Sequence, residues 1–123
     1  MSQTFAGKHV AVTGASRGIG AAIVNAFAQE GASLSLLSRN RAALESQSQK
    51  ALASGASKAH VFEMDVGVQS SVSQAFSEAQ EALGPVDVLV NNAGAVESRP
   101  LARTSQGLWN TMMAVNLNGV FYC

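Results

Sequence analysis

The chain is poor in charge. Only 13% of its 123 residues are Asp, Glu, Lys or Arg, and eight of each sign cancel to a net charge of zero. An average globular domain carries roughly 25%. The balance excludes a basic nucleic-acid tract, an acidic tail and a membrane-surface patch. The scarcity implies that part of the surface is covered by a partner subunit or by further chain. Cysteine occurs once, at Cys123, so no intrachain disulfide can form, which fits a reducing compartment. The opening Met1 to Lys8 lacks the basic-then-apolar pattern of a secretion signal. No apolar run approaches the roughly 18 residues that a bilayer span requires. A soluble, cytoplasmic protein with no nucleic-acid or membrane partner is expected. No internal repeat, linker, low-complexity tract or metal-ligand set is read from the chain.

What is present alternates. Apolar segments at 9–13, 33–38, 60–64 and 86–90 read as strands, separated by helical patterns at 18–30, 40–54 and 70–83, with another from about Ser105. On the first helix Ile19, Ile23 and Phe27 form the expected inward stripe, with Ala22 and Ala26 beside them. Asn40 is placed to cap the second helix, with Leu44, Ala51 and Leu52 facing in. The third helix carries Val72, Phe76, Ala79 and Leu83 in register. Gly31, Gly55 and Gly84-Pro85 stand at helix ends. Strand, helix, strand, helix predicts an α/β fold, a doubly wound parallel sheet of Rossmann type with strand order 3-2-1-4. The fourth strand is apolar on both faces. As a final strand it would leave a hydrophobic sheet edge, which folded proteins avoid. The chain is therefore expected to be the N-terminal half of a longer single domain, the alternative being a half-domain stabilised by self-association.

The chemistry concentrates at Val10-Ala11-Val12-Thr13-Gly14-Ala15-Ser16-Arg17-Gly18-Ile19-Gly20, a strand that runs through a glycine-rich turn into a helix. Such a junction offers backbone N–H groups and a helix N-terminus to an anion, usually a dinucleotide diphosphate. Gly14 supplies the turn, Gly18 allows close approach to phosphate, and Gly20 allows close packing of the helix. After the second strand an NAD-binding chain carries Asp or Glu to hold the ribose hydroxyls. Here the residues are Ser38-Arg39-Asn40, with Arg17 in the glycine turn. Two guanidiniums suit a ribose 2′-phosphate and therefore NADP (NADPH). Asp65, followed by Val66, is placed either to accept the adenine amino group or to cap the next helix.

With Asn91-Asn92-Ala93-Gly94 after the fourth strand, the whole chain resembles the short-chain dehydrogenase/reductase family. Val115-Asn116-Leu117, with Gly119 and Phe121, is similar to that family's central interface helix. The resemblance implies a seven-stranded single-domain Rossmann fold, here an NADP-binding portion over residues 1–123. It implies a coenzyme site comprising Gly14, Ser16, Arg17, Gly18, Ile19, Gly20, Ser38, Arg39, Asp65, Val66, Asn92, Ala93, Gly94 and Val115. It also implies a catalytic Asn116 that opens its helix and holds a water in the proton relay. The expected activity is hydride transfer between nicotinamide and a carbonyl or secondary-alcohol substrate. The family's Tyr and Lys are absent from these 123 residues, and Tyr122 reads as a packing residue. This stretch alone is expected to be inactive. The helix through 105–123, with Trp109, Met112 and Met113, is expected to mediate a homodimer or homotetramer. Two other classes stand beside this reading. One is a non-catalytic NADP-binding module. The other is a Rossmann methyltransferase, disfavoured because Ser38-Arg39 replaces the expected acid.

Overall fold

A computed structural model describes residues 4–93, 105–113 and 122–123. Gly94, Val115 and Asn116 lie outside the described residues. Eight elements follow in order: β1 (His9–Thr13), α1 (Gly18–Gln29), β2 (Ser33–Ser38), α2 (Arg41–Ser54), β3 (Lys58–Glu63), α3 (Gln69–Leu83), β4 (Val88–Val90) and α4 (Gln106–Met113). The four strands form one parallel sheet of order β3-β2-β1-β4, as the alternation predicts. β3 starts and ends before its expected bounds, and β4 is confined to three residues.

The two faces of the sheet carry separate cores. Side chains alternate along a strand, so Val10, Val12, Leu34 and Leu36 enter one cluster with Val24, Ala28, Leu44 and Ala51 from α1 and α2. Ala11 and Leu37 point the other way and join Met64, Val66, Val72 and Ala75 on the α3 side. Tyr122 and Cys123 pack against this second cluster, so Tyr122 is a packing residue as expected. Burial pushes the Cys123 thiol pKa up, which leaves it protonated at neutral pH and a poor nucleophile. β4 pairs with β1 alone among the described residues, and its three residues are half-buried.

Three helix faces differ from expectation. α1 buries Gly20, Val24 and Ala28, while Ile19 is 74% exposed, Ala22 and Ala26 are exposed, and Ile23 and Phe27 are half-buried. The reason lies at Gly20, where a Cβ would overlap the Gly14 carbonyl oxygen. That contact chooses the inward face, and Val24 and Ala28 follow at four-residue spacing. On α2, Leu44 and Ala51 are buried, but Leu52 is 43% exposed. The inward face includes Gln47 and Ser48 instead, and the Gln47 side chain donates to Asn25 Oδ1 on α1 at 3.1 Å. On α3, small Ala75 is buried beside Val72 and Ala79, whereas Phe76 and Leu83 are half-buried.

The amino end of the sheet holds a buried histidine. His9 Nδ1 lies 2.9 Å from the Gly84 carbonyl and Nε2 lies 2.7 Å from Ser35 Oγ. A carbonyl only accepts, so Nδ1 carries the hydrogen, and in the neutral ring the Ser35 hydroxyl donates to Nε2. The His9 amide donates to Asp87 Oδ2, and the Asp87 amide donates back to the His9 carbonyl, each at 2.9 Å. This set joins β1, β2 and the turn that delivers β4.

Candidate functional site: a cleft at the carboxyl end of the sheet

Parallel strands deliver their loops to one end, and there four of them converge. The loops after β1, β2, β3 and β4 surround a cleft of about 520 Å³. Gly14, Ser16, Arg17, Gly18 and Ile19 line it from the first turn. Ser38 and Arg39 line it after β2, Asp65 and Val66 after β3, and Asn92 and Ala93 after β4. Eleven of the fourteen residues expected at the coenzyme therefore share one cavity. Of the rest, Gly94 and Val115 are outside the described residues, and Gly20 lies beneath the turn. Asn91 is exposed and does not line the cleft.

The glycine turn is shaped by contacts as well as by dihedral angles. Gly14 has φ +63° and Gly18 φ +59°, values that L side chains rarely adopt. A Cβ on Gly14 would stand 3.0 Å from Ala93 Cα. Asn92 Nδ2 donates to the Gly14 carbonyl at 3.2 Å, so the side chain after β4 clamps the turn after β1. Thr13 completes the clamp. Its hydroxyl accepts from the Asn92 and Ala93 amides, each at 3.0 Å, and donates to the Val90 carbonyl at 3.4 Å. The Thr13 role was not read from the sequence, where it sits as an ordinary strand residue.

The N-terminus of α1 opens at this turn without a side-chain cap and without an acidic residue in its first turn. Its leading N–H groups have no intrahelical acceptors, and the helix dipole is positive at this end. The N-terminus of α2 contrasts with it. There Asn40 Oδ1 accepts from the Ala43 amide at 3.1 Å, as the capping pattern predicts. Asn40 also lines the cleft, as do Leu37, Ala43 and Met64, none of which the sequence marked as site residues.

At the end of β2 the donors are in excess. Ser38 Oγ accepts from the Asn40 amide at 3.2 Å, and no described residue accepts its hydrogen. Arg17 and Arg39 are exposed and form no ion pair among the described residues, in contrast to Arg41, which pairs with Glu45 at 3.3 Å. The Met64 amide donates to the Ser38 carbonyl at 2.9 Å and ties the β2 and β3 rims together. Asp65 does not cap α3, whose N-cap is Val68 with no side-chain bond. Its Oδ1 instead accepts from the Gly67 amide two residues on, at 2.9 Å. No described group of three or more His, Cys, Asp or Glu is placed to hold a metal ion. No described helix is long and apolar enough to cross a membrane.

A doubly wound parallel sheet, with an uncapped helix N-terminus and a glycine turn at its carboxyl end, defines a Rossmann-type α/β fold. The short chain dehydrogenase family model matches residues 8–123, and the chain belongs to that family. It is 36% identical over 119 residues to gluconate 5-dehydrogenase of Gluconobacter oxydans, covering 97% of this chain and 46% of that one. An alcohol dehydrogenase from the archaeon Thermococcus sibiricus, solved with 5-hydroxy-NADP, superposes with a TM-score of 0.90 at 35% identity. The match covers 94% of this chain and 49% of that one. A metagenomic short-chain oxidoreductase in complex with NADP superposes at 0.91 with 33% identity, over 96% of this chain and 53% of that one. The chain spans about half the length of the relatives it matches.

Proposed function

We propose that the cleft binds NADP(H) and that the protein is an oxidoreductase acting between a carbonyl and a secondary alcohol. The observation that carries the reading is the set of unclaimed donors at the end of β2. A ribose 2′,3′-diol offers two hydroxyl hydrogens and calls for an acceptor, and no carboxylate stands after β2. A 2′-phosphate offers only acceptors, and the Ser38 hydroxyl, Arg39 and Arg17 offer only donors to it. The uncapped α1 N-terminus suits the diphosphate. Two similar structures hold NADP or a derivative, which supports the same coenzyme here.

When bound, the nicotinamide supplies or takes up the hydride. The residues of this chain orient it. Gly14, Gly18 and the α1 amides hold the diphosphate, Asn92 and Ala93 set the height of the floor beneath the adjoining ribose, and Asp65 and Val66 flank the adenine. The resemblance assigns Asn116 to the proton relay, with the proton-donating Tyr and its Lys beyond residue 123. Self-association through the 105–123 helix belongs to the same proposal.

The test is a titration with NADPH and NADH, followed by fluorescence. Charge-assisted bonds contribute about 1.5–3 kcal/mol each, and about 1.4 kcal/mol is a decade of affinity. Arg39→Asp should move the NADPH/NADH affinity ratio at least about tenfold toward NADH. An unmoved ratio would overturn the choice of coenzyme, and failure of the unaltered protein to bind either would overturn the site.

A further inference from the structure

We propose that Ser71, which does not line the cleft, is a positioning residue for recognition of the adenine ring. The proposal rests on the reading of the cleft as a coenzyme site. Ser71 is the third residue of α3, and its hydroxyl oxygen accepts from the Asp65 amide at 2.9 Å. In a capping box the side chain at this helical position, a Glu or Gln, serves the helix by accepting from the amide of the N-cap residue. Here the N-cap amide, that of Val68, donates to the Asp65 carbonyl at 3.1 Å. The Ser71 bond therefore fixes the loop ahead of the helix.

Asp65 is held at three points. Its amide is bound by Ser71, its carbonyl by Val68, and its Oδ1 by the Gly67 amide. Oδ2 has no hydrogen-bond partner among the described residues, and Asp65 lines the cleft. A carboxylate oxygen only accepts. Held in place, Oδ2 accepts from the 6-amino group of adenine and repels the 6-oxo group of hypoxanthine. Ser71 thus acts on base selectivity through Asp65, with its hydroxyl fixing the backbone from which the carboxylate is presented.

The experiment compares NADPH with its hypoxanthine counterpart, by fluorescence titration of the protein and four variants. The unaltered protein should prefer the adenine coenzyme about tenfold or more, the scale of one hydrogen bond to a charged group. Asp65→Ala should abolish the preference. Ser71→Val should lower it about three- to tenfold, while Ser71→Thr, of the same shape as Val with the hydroxyl retained, should keep it. Ser71→Ala is read on the same ratio and replaces Ser71→Val if that protein does not fold. A preference that survives Asp65→Ala overturns the placement of adenine, and this proposal with it. A preference that Asp65→Ala abolishes but Ser71→Val and Ser71→Ala leave intact, even with weaker overall binding, overturns the role of Ser71 alone.

Discussion

At the amino end of the sheet, both ring nitrogens of His9 and both of its backbone groups have partners within the protein. At the carboxyl end, the leading α1 amides, the Ser38 hydrogen and two guanidiniums have none among the described residues. The two ends belong to the same sheet, and both carry polar groups. They differ in whether those groups are answered internally. A saturated cluster contributes to stability, because each buried donor meets an acceptor. An unsaturated one is tolerated only where water or a ligand completes it. Polarity alone does not distinguish the two ends of this molecule, whereas unmet hydrogen-bonding capacity does.

Substitutions can break this contrast from either side. Gly20→Ala is expected to do the most damage. Its methyl group would overlap the Gly14 carbonyl and crowd Asn92, with no flexible side chain to yield in place of backbone. Forced overpacking costs about 1–3 kcal/mol or more, and here the strain falls on the turn itself. Urea unfolding should show a lower midpoint, and coenzyme titration should show loss of binding. His9→Leu should separate the two ends. It strands the Gly84 carbonyl and the Ser35 hydroxyl, at about 1–3 kcal/mol for each buried group. Stability should fall, while the affinity of the remaining folded protein for NADPH stays within about twofold. A large loss of affinity would show that the ends are coupled. Thr13→Val is the smallest of the three. It removes the hydroxyl that receives two amides, but the Asn92 amide keeps a second acceptor in the Val90 carbonyl at 3.1 Å. A loss of about 1–2 kcal/mol is expected, with a modest rise in the dissociation constant for NADPH as the β4 loop loosens.

Much of this was legible in the sequence, because strong periodicity and glycine spacing act locally. The strand order, the Asn40 cap and the gathering of Arg17, Arg39, Asp65 and Asn92 around one cleft all follow from local patterns. What was illegible depends on contacts between distant segments. Ile19 fits an apolar stripe by spacing, yet the Gly14 carbonyl oxygen, five residues earlier, turns it outward by holding Gly20 inward. Thr13 looks like any β-branched strand residue until the chain returns 77 residues later to place Val90 beside it. His9 is a lone histidine in the sequence, and its partners come from β2 and from the turn before β4. Leu52 and Phe76 fit an inward face by hydrophobicity, but the buried positions beside them go to Ala51 on α2 and Ala75 on α3, a choice made by packing between segments distant in sequence.

The Asn92 side chain spans the gap between two loops 78 positions apart and grips the same carbonyl oxygen that bars any larger residue from position 20. Two neighbouring glycines and one residue remote in the gene are thereby mechanically interlocked, so drift at one restricts what the others can tolerate. Related chains should vary at these positions together or hardly at all, and an engineer wishing to enlarge the glycine turn would have to rebuild all three in a single step.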